Sequence, residues 1–240
     1  MTGPNVDPQP LDAEWYAALR IAYEQGALDE SDLAPSPLEQ FQAWLGDAIA
    51  DALPEPNAMN LATADANGRP SSRTVLLKQA DDRGFVLFTN YESKKGTDQL
   101  HNAWGAITLL WLPLHRQVTA RGPLVRVSEA ESDAYFATRP RGSQLGAWAS
   151  HQSKPITSRN ELEASFAEVE HRFAGRDVPR PSHWGGLILV PRVVEFWQGR
   201  PSRLHDRLRY VRTFDLDTEH AQDPQGMTDP AQWRIERLAP

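Results

Sequence analysis

Met59-Asn60-Leu61-Ala62-Thr63-Ala64, Asn67-Gly68, Ser72-Arg73-Thr74-Val75-Leu76-Leu77-Lys78, Asp81-Asp82-Arg83-Gly84 and Phe85-Val86-Leu87-Phe88-Thr89 follow one another within thirty-one residues, 59–89. Three runs rich in apolar and β-branched residues are separated by turn formers. Asn-Gly is the residue pair that a two-residue hairpin favours, because both central positions adopt positive φ. Strands this short, joined by turns this tight, make an antiparallel meander, which tends to close into a barrel.

Outward from this stretch the pattern continues. Residues 93–102 read as a short helix, and Ala106 to Leu112 and Gln117 to Val127 as strands around Pro113-Leu114-His115. Helical patterns occupy 129–138 and 158–174, and Val178-Pro179-Arg180-Pro181 reads as a linker. Further strands are expected at 185–190, 192–198, 203–213 and 232–238. Upstream, Ser36 is a plausible N-cap with Pro37 at the first helical position. Leu38, Phe41, Leu45, Ile49 and Leu53 recur at the three- and four-residue spacing of an amphipathic helix. Residues 11–25 read as another helix, residues 1–10 as a flexible tail, and 214–231 as an exposed, mobile loop. The expected fold class is mainly β with flanking helices (α+β). There is one domain over 19–240, preceded at 1–18 by a flexible tail and the start of a helix.

Composition narrows the function. The chain has 240 residues, 40% of them hydrophobic, and a net charge of −7. That supports a packed core and argues against general nucleic-acid binding. A local basic pocket on an acidic chain points instead to a small anion. There is no cysteine, which excludes disulfides and thiolate chemistry. No apolar run approaches the ~18 residues of a membrane span, and Met1 to Pro10 carries no apolar leader segment. A cytoplasmic protein is therefore the expectation. The chain lacks a Gly-x-Gly-x-x-Gly, a P-loop, a nucleophile elbow and any histidine pair at i, i+4, so no metal is expected.

Several basic groups suit anions. Arg203, His205 and Arg207 alternate with Leu204 and Asp206, so a strand would set the three on one face beside Trp197. Spacing alone fits either a solvated strand face or a wall for an anionic aromatic ligand. Arg73 and Lys78 are five apart, which puts them on opposite faces of a regular strand. They are either strand ends reaching solvent or contacts to two different anionic groups. Ser93-Lys94-Lys95 opens a helix, a ready phosphate site or simply a solvated lysine pair. Tyr135 and Arg139 share a helix face, with Ser143 close behind, a set able to satisfy phosphate oxygens or to cap a helix end. Gln117, Gln152 and Ser153 suit a heteroaromatic ring. Anion sites outnumber catalytic acids, which suggests that a cofactor carries the chemistry.

The chain resembles the pyridoxamine 5′-phosphate oxidase family from about Leu19 to Pro240. The resemblance rests on Arg73 to Lys78, Phe88-Thr89-Asn90, Ser93-Lys94-Lys95, Arg139-Pro140-Arg141-Gly142-Ser143-Gln144-Leu145-Gly146-Ala147-Trp148 and Gln152-Ser153. It extends through Ser182-His183-Trp184-Gly185-Gly186, Glu195 to Gly199, Arg203-Leu204-His205-Asp206-Arg207 and Arg237-Leu238-Ala239-Pro240. Their occurrence in order is a specific signal.

The resemblance implies an FMN-binding split β-barrel homodimer, with a dimerisation and substrate segment at about 185–240. It implies oxidation of pyridoxamine or pyridoxine 5′-phosphate to pyridoxal 5′-phosphate, with O2 as acceptor. FMN would be contacted by Arg73, Thr74, Val75, Leu76, Leu77, Lys78, Phe88, Thr89, Lys94 and Lys95. Gln117, Gln152, Ser153, Trp197 and Arg207 would complete the cofactor set. Lys78, Tyr135, Arg139 and Ser143 would hold the substrate phosphate, and Arg203, Leu204 and His205 its ring. Of these, Arg203 and His205 are the catalytic candidates. Arg20 and Tyr23 would lie in a lid. The chain departs from the family pattern at Lys94, often arginine, at Ile21, where a second lid arginine can occur, and in its longer 214–231 loop. Two other readings remain: a related flavin oxidase of phenazine-type biosynthesis, and a split barrel that binds flavin without turnover.

Overall fold

The chain reverses at Asn67-Gly68 as expected, but through the five residues 65–69 rather than a two-residue turn, and Asn67 does not take positive φ. In the computed structural model, which describes residues 23, 26–213 and 226–240, β1 (Ala58–Ala64) pairs antiparallel with β2 (Pro70–Leu76). Gly68 takes φ +76°. Asp65 Oδ1 accepts the amides of Asn67 and Arg69 at 2.9 and 3.0 Å, tying the turn. The Asp81-to-Gly84 turn joins β3 (Gln79–Asp81) to β4 (Gly84–Asn90). Then come β5 (Trp104–Trp111), β6 (Arg116–Arg126), β7 (Trp184–Leu189), β8 (Val193–Gln198), β9 (Asp206–Arg212) and β10 (Trp233–Arg237).

All pairings are antiparallel, and the main path runs β10-β9-β8-β6-β5-β1-β2. β7 leaves this path from β6 to pair with β4, which carries β3. On the edge away from β5, strand β6 therefore serves two partners, β8 as far as Arg121 and β7 from Leu124. Gly122 sits at the change. A Cβ there would lie 2.0 Å from the Val190 carbonyl oxygen, so only glycine lets the strands cross so closely. Pro123 has no N–H to leave unpaired, and its carbonyl accepts from Val190 N at 2.9 Å.

The curled sheet encloses Leu61, Phe85, Ile107, Leu109, Val118, Phe196 and Tyr210, all fully buried. Helix α1 (Pro37–Ala50) packs against this core. Ser36 caps it by accepting from Glu39 N at 3.3 Å, and Pro37 opens it. Phe41 meets Phe85 edge-on at 5.0 Å and Trp44 meets Phe196 at 5.2 Å. The buried face is Leu38, Phe41, Trp44 and Ala48. Ile49, expected in the stripe, is 59% exposed, and the buried face runs through Trp44 and Ala48 instead.

Four further helices flank the sheet: α2 (Lys94–His101), α3 (Glu129–Thr138), α4 (Arg141–Ala149) and α5 (Arg159–Arg172). Phe136, Leu145, Phe173, Val178 and Trp184 form a second core beneath α3 to α5. Helix α4 escapes a pattern reading. It has two glycines, and its N-cap position is Pro140, which makes no side-chain cap.

Two expectations change. The strand expected at 203–213 begins only at Asp206. Pro201–Arg203 is a 3-10 turn in which Ser202 and Arg203 take φ of 58° and 62°. The 214–231 segment is not loose throughout: Asp82 accepts the amides of Gly226 and Thr228, both at 2.8 Å, and Met227 is fully buried. Residues 214–225, and the helix expected at 11–25 apart from Tyr23, lie outside the described residues. Among the described residues no helix is long and apolar enough to cross a membrane.

Candidate functional site

A cleft of about 810 Å³ opens where β2, β4, α2, α3 and α4 converge. It gathers most of the sequence-expected residues. Arg73, Thr74, Val75 and Leu76 come from β2, with Lys78 just beyond it. Phe88 and Thr89 come from β4, and Lys94 and Lys95 open α2. Tyr135 lies on α3, Arg139 and Ser143 around the α3–α4 junction, and Gln152 and Ser153 in the following loop. Among the described residues, five cations line the cleft and no carboxylate does, in a chain of net charge −7.

Arg73 and Lys78 share this cleft, although a regular strand would separate them. β2 stops at Leu76, and Lys78 N instead donates to Val86 O at 2.9 Å. The alternation breaks between the two side chains. Leu77 goes the other way: it is 5% exposed and packs into the main core, so its side chain does not line the cleft.

Each cation is held differently. Arg73 Nη1 donates to Leu61 O at 3.0 Å and Thr63 Oγ1 at 2.8 Å, and Nη2 to Ser71 Oγ at 2.6 Å. Burial lowers its pKa, partly offset by the charge of Asp98. Lys95 is buried, and its Nζ donates to Thr89 Oγ1 at 2.9 Å and Ser93 Oγ at 3.2 Å. Burial, and then the like charge of Arg73, push its ammonium down to about 8. Lys94 Nζ pairs with Asp98 one turn along α2. Ser93 stands at the N-cap of α2 but does not cap it with its side chain. Its hydroxyl donates to Asn90 O at 2.6 Å. Gly96 lets α2 start here, since a Cβ would lie 2.1 Å from the Tyr91 carbonyl oxygen.

Arg139 lies over the Trp184 ring, 4.5 Å from its centroid. Its Nη1 is buried and has no hydrogen-bond partner among the described residues. Burial lowers its pKa, with Tyr135 opposing. A buried guanidinium nitrogen without an acceptor is costly unless a ligand supplies one. Phe88 and Tyr135 stack at 3.8 Å, and Trp184 lies near-parallel to both. Trp184 and Asn90 also line the cleft. Both stand inside motifs already singled out, Ser182 to Gly186 and Phe88 to Asn90, but aromatic and amide residues give no spacing signal of their own.

The remaining expected residues gather elsewhere. Gln117, Trp197 and Arg207 stand side by side across β6, β8 and β9. His205 lies 4.6 Å from Trp197, and Tyr23 meets His115, Trp197 and His205 edge-on. His205 Nδ1 accepts from Arg200 N at 3.1 Å, so the neutral ring carries its proton on Nε2. Arg203 and Leu204 are exposed beside it. Because β9 starts at Asp206, Arg203 and His205 do not share a strand face with Arg207 as the alternation suggested. Arg207 is paired with Glu195 at 2.7 Å, which raises its pKa. The segment before α1 is anchored here by Leu28 N on Asp206 and by Arg237 on Asp29 and Glu30. From β2 to β9 the sheet counts five strand spacings, roughly 24 Å along its surface. None of these residues lines the cationic cleft. Arg20 lies outside the described residues.

Residues 45–173 match the family model described as pyridoxamine 5′-phosphate oxidase. The chain belongs to this family. Residues 184–240 match a second model, the pyridoxine 5′-phosphate oxidase C-terminal dimerisation region. Pyridoxine/pyridoxamine 5′-phosphate oxidases of Burkholderia mallei and Burkholderia pseudomallei are 52% identical over 224 residues, covering 93% of this chain and 98% of theirs. Relatives so named support an oxidoreductase. Among solved structures, PhzG from Burkholderia lata 383, in complex with tetrahydrophenazine-1-carboxylic acid, superposes with a TM-score of 0.78 at 30% identity, covering 91% of this chain and 100% of that one. A pyridoxamine 5′-phosphate oxidase-related, FMN binding protein from Nostoc punctiforme shares the fold, with a TM-score of 0.61 at 18% identity over 87% of this chain and 99% of that one. The family's split-barrel fold is thus the fold of this chain.

Proposed function

We propose that this chain binds FMN and oxidises pyridoxamine or pyridoxine 5′-phosphate to pyridoxal 5′-phosphate in vitamin B6 biosynthesis or salvage. Dioxygen takes the electrons and leaves as hydrogen peroxide, and the amine substrate also releases ammonia. The observation that carries the reading is the cleft itself: among the described residues it has five cations, no lining carboxylate, and Arg139 Nη1 buried without an acceptor. Such a site suits phosphorylated ligands. Its size, about 810 Å³, is in the range of cofactor clefts.

Arg73 on β2, with Lys94 and Lys95 at the N-terminus of α2, would hold the FMN phosphate. Lys78, Tyr135, Arg139 and Ser143 would hold the substrate phosphate. Bound FMN would supply a hydride acceptor and a route for electrons to dioxygen. The protein's part is to orient the rings and stabilise charge. His205, with its proton on Nε2, would donate to the substrate's ring oxygen, and Arg203 would cover the ring. Gln117, Trp197 and Arg207 would meet the flavin. The distance between these groups and the cleft is bridged if two copies associate through residues 184–240. Each cleft then receives Trp197, Arg203, His205 and Arg207 of the partner subunit.

The likeness to PhzG favours one second reading, oxidation of a phenazine precursor. Arg139 and Ser143 argue for a phosphorylated substrate instead. A third possibility is flavin binding without turnover. One assay separates them. Protein loaded with FMN is given pyridoxine 5′-phosphate in air, and pyridoxal 5′-phosphate and peroxide are followed. Stoichiometric formation of both supports the proposal. No product with FMN bound overturns it, and turnover of a reduced phenazine carboxylate alone selects the second reading.

A further inference from the structure

Beneath the cationic cleft lies a carboxylate that does not line it. Asp98, on α2, is 2% exposed. Its Oδ2 accepts from Thr63 Oγ1 at 2.8 Å and from Ser71 Oγ at 2.9 Å, and its Oδ1 accepts from Lys94 Nζ. Burial alone would raise its pKa, but these bonds and the Lys94 charge outweigh that and hold it below the ordinary carboxylate value.

The same two hydroxyls accept from Arg73. A hydroxyl has one proton. When Thr63 and Ser71 spend theirs on Asp98, each must turn a lone pair elsewhere, and Arg73 Nη1 and Nη2 lie on those lone pairs. With Leu61 O also satisfied, Nε–H and one Nη2–H of Arg73 remain without a partner among the described residues. One buried carboxylate thus sets the direction of two hydroxyls, and through them the guanidinium. It also holds Lys94 directly.

We propose that Asp98 is the positioning residue of the phosphate-binding cations, acting on Lys94 by direct contact and on Arg73 through Thr63 and Ser71. The proposal rests on the flavin reading of the cleft. It makes a prediction whose sign opposes simple electrostatics. Removing a negative charge near a phosphate site should tighten phosphate binding by Coulomb's law. Losing a positioning group should weaken it.

The test titrates ligand-free protein with FMN and with riboflavin, which lacks the phosphate, and follows flavin fluorescence. Wild type must prefer FMN; absence of that preference overturns the flavin reading, and this proposal with it, from the wild-type titration alone. Asp98→Asn is expected to weaken FMN about tenfold or more while riboflavin affinity stays the same. Thr63→Val with Ser71→Ala breaks only the arm to Arg73 and is expected to give part of that loss. It also serves if Asp98→Asn fails to fold. Unchanged or tighter FMN binding in these variants overturns the proposal. So does an equal loss for both flavins, which would make Asp98 merely a clamp between α2 and the sheet.

Discussion

The cleft and the Trp197–His205 cluster both concentrate cations and aromatic rings, yet they treat charge in opposite ways. In the cleft, among the described residues, no carboxylate reaches the lining, Lys95 is driven toward neutrality, and Arg139 Nη1 is left without an acceptor. In the cluster Arg207 is paired with Glu195, and Arg200 and Arg237 with Asp206. The first region is built to receive negative charge. The second sets carboxylates against most of its arginines and offers ring faces, edges and one oriented imidazole. They are complementary and lie five strand spacings apart in one chain, so the proposed site joins them across two copies.

The comparison breaks most visibly at Arg139. If its buried guanidinium waits for the substrate phosphate, Arg139→Gln should raise KM for pyridoxine 5′-phosphate by about 30- to 100-fold. FMN affinity should change little. Steady-state kinetics beside an FMN titration check this, and an equal loss of both would merge the two phosphate sites.

Lys95 comes next. Its pKa in the ligand-free fold is about 8, below the ~10.4 of an unfolded chain. Between these values the unfolded chain binds more protons, so the ligand-free protein should gain stability as pH rises through that window. FMN binding favours the ammonium, so its affinity should fall above about pH 8, by up to about tenfold per pH unit. Calorimetry in two buffers should register proton uptake near pH 8.5. Lys95→Met should abolish both the uptake and the pH slope.

The smallest effect is expected in the ion-paired half. Glu195→Gln removes the partner of Arg207. A partly exposed pair of this kind is worth about 0.5–1 kcal/mol. Tm should drop slightly and FMN affinity stay within about threefold. A tenfold change would mean that charge balance in the cluster matters as much as in the cleft.

How much of this was legible in the sequence follows from which interactions are local. The Asn67-Gly68 hairpin, the Ser36 cap and the Tyr135–Arg139 pair depend on residues a few positions apart, and the structure keeps them. Strand alternation failed where strands end. β2 stops before Lys78, and β9 starts after His205, because backbone pairing ends there and the period of two has nothing to enforce it. Helix α4 was hidden by its glycines and its missing cap. The role of Asp98 was invisible, since it depends on Thr63 and Ser71, which lie 35 and 27 residues away in sequence.

In the proposed dimer each site takes its cationic cleft from one copy and its His205–Arg203 wall from the other. The most direct measurement co-expresses Arg139→Ala and Arg203→Ala chains under different tags and isolates the mixed dimer. Each parent dimer should be nearly inactive. With sites shared between copies, the mixed dimer holds one doubly damaged site and one intact site, and should recover about half of wild-type turnover. If every site were built from a single copy, both sites in the mixed dimer would carry one lesion, and turnover would stay at the parental level.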